Sequence, residues 1–293
     1  MEMKNVQTLT WALSDPEQRL GFKGGRYTHV NSMLSGLMAI LLTLGVFLAV
    51  FPLRERMLGL LFYRETNLPV AIPITFLTSW SFAILLLKWW KLRLQRKTLE
   101  MQVLPPEVDF CLSPQTVEHV EKRIGKLVDD PKHFVLVNRV WMAISNLRNL
   151  GRVGDVAEIF KTQSEHDEAS VETSYLMVGV FVWAIPVLGF VGTVLGLSQS
   201  IGKFGGVLQG GGGTEQITEK LQKVTGGLAT AFETTLIGLV AALLVQVSIV
   251  AMRKAEHQFL DSCNEYCSRN VILKLRLLPF EQSAEGTDHA TAS

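Results

Sequence analysis

Apolar residues along this chain fall in continuous blocks rather than at the spaced positions of a surface helix. Four blocks are long enough to cross a bilayer, which takes about 20 apolar residues in a helix. They cover 33–51, 68–87, 175–201 (with Pro186 inside) and 227–251. The first three hold no Asp, Glu, Lys, Arg or His, and the fourth holds one such residue, Glu233. The pattern predicts an all-α fold: a polytopic membrane protein with four transmembrane helices and a helical cytoplasmic domain.

Between the blocks the apolar residues return to helical spacing. Val117, Val120, Ile124 and Leu127 predict a helix opened by Ser113-Pro114 and closed by Asp129-Asp130-Pro131. A second runs over His133–Leu150, with Val137, Trp141 and Ile144 on one face and Gly151 as its stop. A third starts near Asp155. Its acidic stretch Glu165–Glu172 meets the third span with no breaker, which predicts one long helix. Gly205-Gly206 and Gly210–Gly213 read as a flexible turn, because a phosphate-binding loop needs a following Gly-Lys-Ser/Thr and a preceding strand. Thr214 is positioned to cap a short surface helix with Ile217, Leu221 and Val224 as its apolar stripe. In the tail, Phe259, Cys263, Tyr266, Asn270, Leu273 and Leu277 define an amphipathic helix over 253–278. That stripe can pack on the insert of its own chain or on copies of itself. The expected layout is therefore 1–32 N-terminal segment, 33–87 first two spans, 88–174 helical insert, 175–251 last two spans, 252–280 amphipathic helix and 281–293 disordered tail.

Charge sets the orientation. The chain has 293 residues with 28 Lys+Arg against 27 Asp+Glu, and only 19% of its residues are charged, where a soluble domain carries about 25%. This balance excludes the basic excess of a nucleic-acid binder. The segments 52–67 and 202–226 hold three Lys or Arg each, and the other 22 lie in the N-terminus, the insert and the tail. Lys88, Lys91, Arg93, Arg96 and Lys97 follow the second span directly. The positive-inside rule then puts both termini and the insert in the cytoplasm. Trp80, Trp89 and Trp90 read as interface anchors at span ends. No cleavable leader is expected, since the first 30 residues are polar and mixed in charge.

Catalytic chemistry is poorly represented. Cys263 and Cys267, one helical turn apart, read as small apolar residues on a helix face, and Cys111 stands alone. Six scattered His show no metal-ligand spacing, and no nucleophile elbow or Walker motif occurs. No cofactor, no metal and no enzymatic activity are expected. The notable residues lie in the last two spans. Gly189, Gly192, Thr193 and Gly196 mark the third, with Gly192 and Gly196 forming a G-x-x-x-G pair that admits a closely packed helix. Ala231, Thr235, Gly238 and Ala242 form one small-residue face on the fourth. These faces either pack tightly on each other or line a path and cradle a foreign helix. Threonine hydroxyls donate and accept hydrogen bonds but do not titrate near neutral pH. Glu233 is the one ionisable side chain in the spans.

The run 184–197, AIPVLGFVGTVLGL, and the run 227–240, GLATAFETTLIGLV, resemble the two pore-span motifs of the MotA/TolQ/ExbB proton-channel family, in the expected order. The four-span layout with an insert between spans two and three is similar to the MotA arrangement. The resemblance implies a ring-forming A subunit, a homopentamer of the bacterial inner membrane. Its third and fourth spans surround two single-span B subunits of the MotB/ExbD/TolR type, whose Asp carries the proton. Thr193 and Thr235 match the family's pore-facing threonines. ExbB and TolQ carry a Glu where this chain has Thr230, and Glu233 lies one turn later. The ion path is thus expected along Thr193, Thr235, Glu233, Thr234 and Thr230, lined by Gly189, Gly192, Gly196, Ala231, Gly238 and Ala242. The expected function is conversion of a proton gradient into mechanical work. The rival expectations are a membrane scaffold that only oligomerises and recruits partners, and a solute transporter.

Overall fold

The computed structural model describes residues 9–22, 24–64, 67–101, 103–104, 112, 116–146, 153–209 and 214–275. Among these, every regular element is helical, and extended pairing is limited to single bridges, Leu9 with Val128 and Leu112 with Leu275. The helices are α1 Trp11–Ser14, α2 Pro16–Arg19, α3 Ser32–Val50, α4 Met57–Tyr63, α5 Leu68–Arg96, α6 Val117–Leu127, α7 Val135–Asn146, α8 Val153–Ser174, α9 Leu176–Gln209 and α10 Thr214–Asn270. Four of them (α3, α5, α9 and α10) contain the apolar runs, long enough to cross a membrane. This is a multi-pass membrane protein. Ser113-Pro114, Cys111, Gly151, Gly210–Gly213, Leu277 and the tail 281–293 lie outside the described residues.

The chain forms two compact units. The membrane unit comprises 16–91 and 171–256. Its apolar core joins Val70, Ile74 and Leu77 of α5 to Ile185 and Leu188 of α9 and to Ile237, Ala241 and Ala242 of α10. Asn31 caps α3, its side chain accepting the Met33 N–H at 2.9 Å. Trp80 departs from the anchor role. Its indole N–H donates to Ser35 Oγ at 3.0 Å and its ring packs 5.0 Å from that of Phe181, so it ties α3, α5 and α9 inside the unit. Trp89 and Trp90 remain exposed, as anchors would be. Lys88 and Lys91 are buried: Lys88 pairs with Glu256 at 2.9 Å and Lys91 with Glu17 at 2.6 Å. The carbonyl of His29 and the carboxylate of Glu17 both accept from Lys91 Nζ, and Glu17 also accepts the backbone N–H groups of Gly25 and Asn31. Glu17 and the backbone of Gly25, His29 and Asn31 are thereby gathered around one ammonium. A side chain at Gly25 would meet the His29 carbonyl at 2.6 Å, which is why glycine stands there. Burial, then Lys88 and Lys91 beside it, hold the His29 imidazole below its ordinary pKa.

The second unit comprises 1–15, 92–170 and 257–293. The four α6 residues chosen for their spacing, Val117, Val120, Ile124 and Leu127, are buried, as are Val137 and Ile144 of α7. Helix α10 presents Phe259, Leu260, Cys263 and Cys267 to the interior. Three expectations need correction: Gly205-Gly206 lie inside α9 and form no turn, and two helix bounds change. The tail helix ends at Asn270 and gives way to a short 3₁₀ turn, Ile272–Lys274, so Leu273 points outward while Val271 and Leu275 are buried. Residues 214–224 form no separate surface helix either. They are the first turns of α10, which runs on without a break. The predicted long helix through 172–176 is almost continuous, with Tyr175 as the one residue between α8 and α9.

Arg139 anchors this unit. Its Nε donates to Asp167 Oδ2 at 2.7 Å, and its Nη1 donates to the Asn264 side chain. The tail helix therefore packs on the insert of its own chain. Both members of the ion pair are buried, so removing one strands the other. Asp167→Ala is expected to lower stability by about 3–5 kcal/mol. Arg139→Met with Asp167→Leu should recover most of that loss, read as thermal unfolding of the detergent-solubilised chain.

Candidate functional site: the seam between the third and fourth spans

The small residues of α9 and α10 meet each other, antiparallel, along a seam of more than three turns. A methyl group built on Gly189 would lie 3.0 Å from the Thr234 carbonyl and 3.2 Å from Thr235 Cα. One on Gly192 would reach Thr234 Oγ1 at 2.5 Å, and one on Gly196 would reach the Gly227 carbonyl at 2.9 Å. From the other side, Gly238 faces the Ile185 carbonyl at 3.1 Å, and Gly227 lies against the Ser200 hydroxyl. Ser200 in turn donates to the Gly196 carbonyl at 2.9 Å. These contacts explain why α10 passes through Gly226-Gly227 without ending. The missing side chain at Gly227 is space used by α9, not a signal to turn.

Close backbones bring hydroxyls to carbonyls. Thr193 and Thr235 share a short hydrogen bond between their hydroxyls. The Thr193 hydroxyl also lies 3.0 Å from the Ala231 carbonyl, and the Thr235 hydroxyl 3.2 Å from the Gly189 carbonyl. Two hydroxyls and two carbonyls of two helices thus converge at one level. Thr193 and Thr235 are part-exposed, whereas Thr234 and Ala231 are buried behind them. The Thr234 hydroxyl donates within 3.2 Å of the Ala231 carbonyl. Among the described residues, neither Thr193 nor Thr235 bonds a titratable side chain. Around the pair the two helices present large apolar residues outward: Phe190, Val194 and Leu197 on α9, and Phe232, Leu236 and Leu239 on α10.

Of the eleven residues chosen from the sequence, Gly189, Gly192, Thr193, Gly196, Ala231, Thr234, Thr235 and Gly238 come together at the seam. Ala242 belongs instead to the apolar core with Val70, Ile74 and Ile185. The side chain of Thr230 lies outside the described residues. Glu233 is turned away from the seam. Its Oε2 accepts from Asn67 Nδ2 at 2.7 Å, and its Oε1 is 3.3 Å from Arg64 Nη2. Arg64 and Asn67 were not singled out from the sequence. The available hint was their position: two polar side chains at the mouth of a span, within reach of a chain whose only intramembrane acid needs a donor.

The seam makes a direct prediction. With Thr193→Cys and Thr235→Cys in place, the two sulfurs fall within disulfide reach and should cross-link on oxidation in membranes. Gly196→Val pushes a side chain onto backbone that cannot swing aside, and should cut that yield by about fivefold or more. Gly45→Val, where nothing lies within 4 Å, should leave it unchanged.

No curated protein and no solved structure matches the chain. The model of one family does match, over residues 140–263, and that stretch contains α9, the whole seam and α10 as far as Cys263. Residues 140–263 match the model of the MotA/TolQ/ExbB proton channel family.

Proposed function

We propose that this chain is the ring-forming subunit of a proton-driven membrane motor. Working with a single-span B subunit of the MotB/ExbD/TolR type, it converts a proton gradient into mechanical work. The observation that carries the reading is the Thr193–Thr235 hydroxyl pair, backed by the Gly189 and Ala231 carbonyls and open on one side. Such a pair can pass a hydrogen bond to an incoming group and orient it, but it holds no charge of its own. The titrating acid must come from elsewhere, and an Asp on a guest helix supplies it. The outward apolar faces of α9 and α10 give that helix, and neighbouring copies of this chain, a surface to pack on. A pentamer with two B helices on its axis fits the family. The charge distribution supports cytoplasmic termini in a bacterial inner membrane. No cofactor or metal enters the mechanism.

The ion is a proton in this reading, because no carboxylate stands among the four oxygens at the seam. Two measurements test it. Purification of the full-length chain from its native membrane should bring down a single-span protein with an Asp in its span; recovery of the chain alone contradicts the motor. Replacement of sodium at constant proton gradient should leave transport unchanged, and loss of transport would reassign the ion.

A further inference from the structure

Helix α10 carries Glu233 inside the fourth span and Glu256 just past it, and segments at the two ends of the second span hold these two acids. At the outer end, Glu233 accepts from Asn67, which is fully buried at the start of α5, and faces Arg64. The same Asn67 amide donates to the Leu61 carbonyl at 3.2 Å, so α4 is drawn into the contact. At the inner end, Lys88 Nζ donates to both oxygens of Glu256, at 2.9 and 3.2 Å. The Tyr175 hydroxyl donates to Glu256 Oε2 at 2.6 Å, and Lys88 also lies over the Tyr175 ring at 4.3 Å. Lys88 and Glu256 are each 1% exposed. At 1.5 Å per residue, the two acids are about 34 Å apart along α10, close to the thickness of a bilayer core.

Between these points Val70, Ile74 and Leu77 of the second span and Ile237, Ala241 and Ala242 of the fourth share one apolar core with Ile185 and Leu188 of the third. Aliphatic surfaces of this kind resist separation but say little about register. Ionic contacts do: a slip of one turn, about 5.4 Å, would leave the acids and their donors unpaired at both ends. The register of α10 also decides whether Thr235 stands opposite Thr193. Donors reach both oxygens of each carboxylate, which suits a fastening.

We propose that Glu233 and Glu256 are positioning residues. They pin the fourth span to the second at the two membrane faces, hold the Thr193–Thr235 pair in register, and do not carry the transported ion. This deepens the reading of the chain as a proton-channel subunit and rests on it.

The test uses the full-length chain with its native partner in native membranes. It reads proton flux and, independently, disulfide yield between Thr193→Cys and Thr235→Cys. Glu233→Gln and Arg64→Gln should each lower the cross-link yield, and flux measured without the cysteines, by about tenfold. The exchanged pair, Arg64→Glu with Glu233→Arg, should restore both, because an arginine at 233 can fasten but cannot relay a proton. An exchange that restores the cross-link but not flux marks Glu233 as a carrier and overturns the proposal. So does a cross-link yield that Glu233→Gln leaves unchanged. Glu256→Gln should act in the same direction; if that buried variant fails to accumulate, the part-exposed Glu233 arm decides alone. If the unaltered chain shows no proton flux, the channel reading fails, and the cross-link still judges the pins.

Discussion

The structure depends on the approach of two backbones. Helices α9 and α10 come close enough for side-chain hydroxyls of one to reach main-chain carbonyls of the other, and only glycine and alanine at the contact permit that. In a bilayer, apolar helices gain little by leaving lipid for each other, so tight packing and interhelical hydrogen bonds have to supply the attraction. Here both come from the same residues. Gly189, Gly192 and Gly196 remove bulk, and Thr193, Thr234 and Thr235 bond in the space that is left. The result is a rigid strip with oxygen atoms on it, set in apolar surroundings.

The polar contacts around this strip divide into two kinds. Hydroxyls and carbonyls occupy the seam, neutral and open on one side. Among the described residues, Glu233 and Glu256 stand away from it, paired with Arg64 and Lys88. Such placement follows from the cost of charge in a low-dielectric interior: an unpaired carboxylate beside the seam would weaken the fold and would hold an ion rather than pass it.

Much of this was legible in the sequence. Runs of apolar residues betray spans because nothing else in a chain needs twenty of them together, and the glycine and threonine spacing marked the faces that do meet. What was missed has a common cause. Lys88 and Lys91 read only as members of a basic cluster because their partners, Glu256 and Glu17, are remote in sequence. Trp80 looks like an anchor until Ser35 is brought beside it. The stripe Ile217, Leu221 and Val224 looks like a separate surface helix because the gap at Gly227 acquires meaning only from the helix that fills it. Leu273 has helical spacing, but the helix has ended three residues before it. Local pattern reports the faces of an element; it does not report which distant residue will be opposite.

The central claim is that the Thr193 and Thr235 hydroxyls serve ion passage and not merely packing. Proton flux through the assembled complex, compared between Thr193→Val and Thr193→Ser, tests it most directly. Valine keeps the volume and removes the hydroxyl; serine keeps the hydroxyl and removes a methyl. The account predicts loss of flux by about tenfold or more in the valine variant, with assembly intact and most of the flux retained in the serine variant. Flux in the valine variant equal to that of the unaltered chain would contradict it.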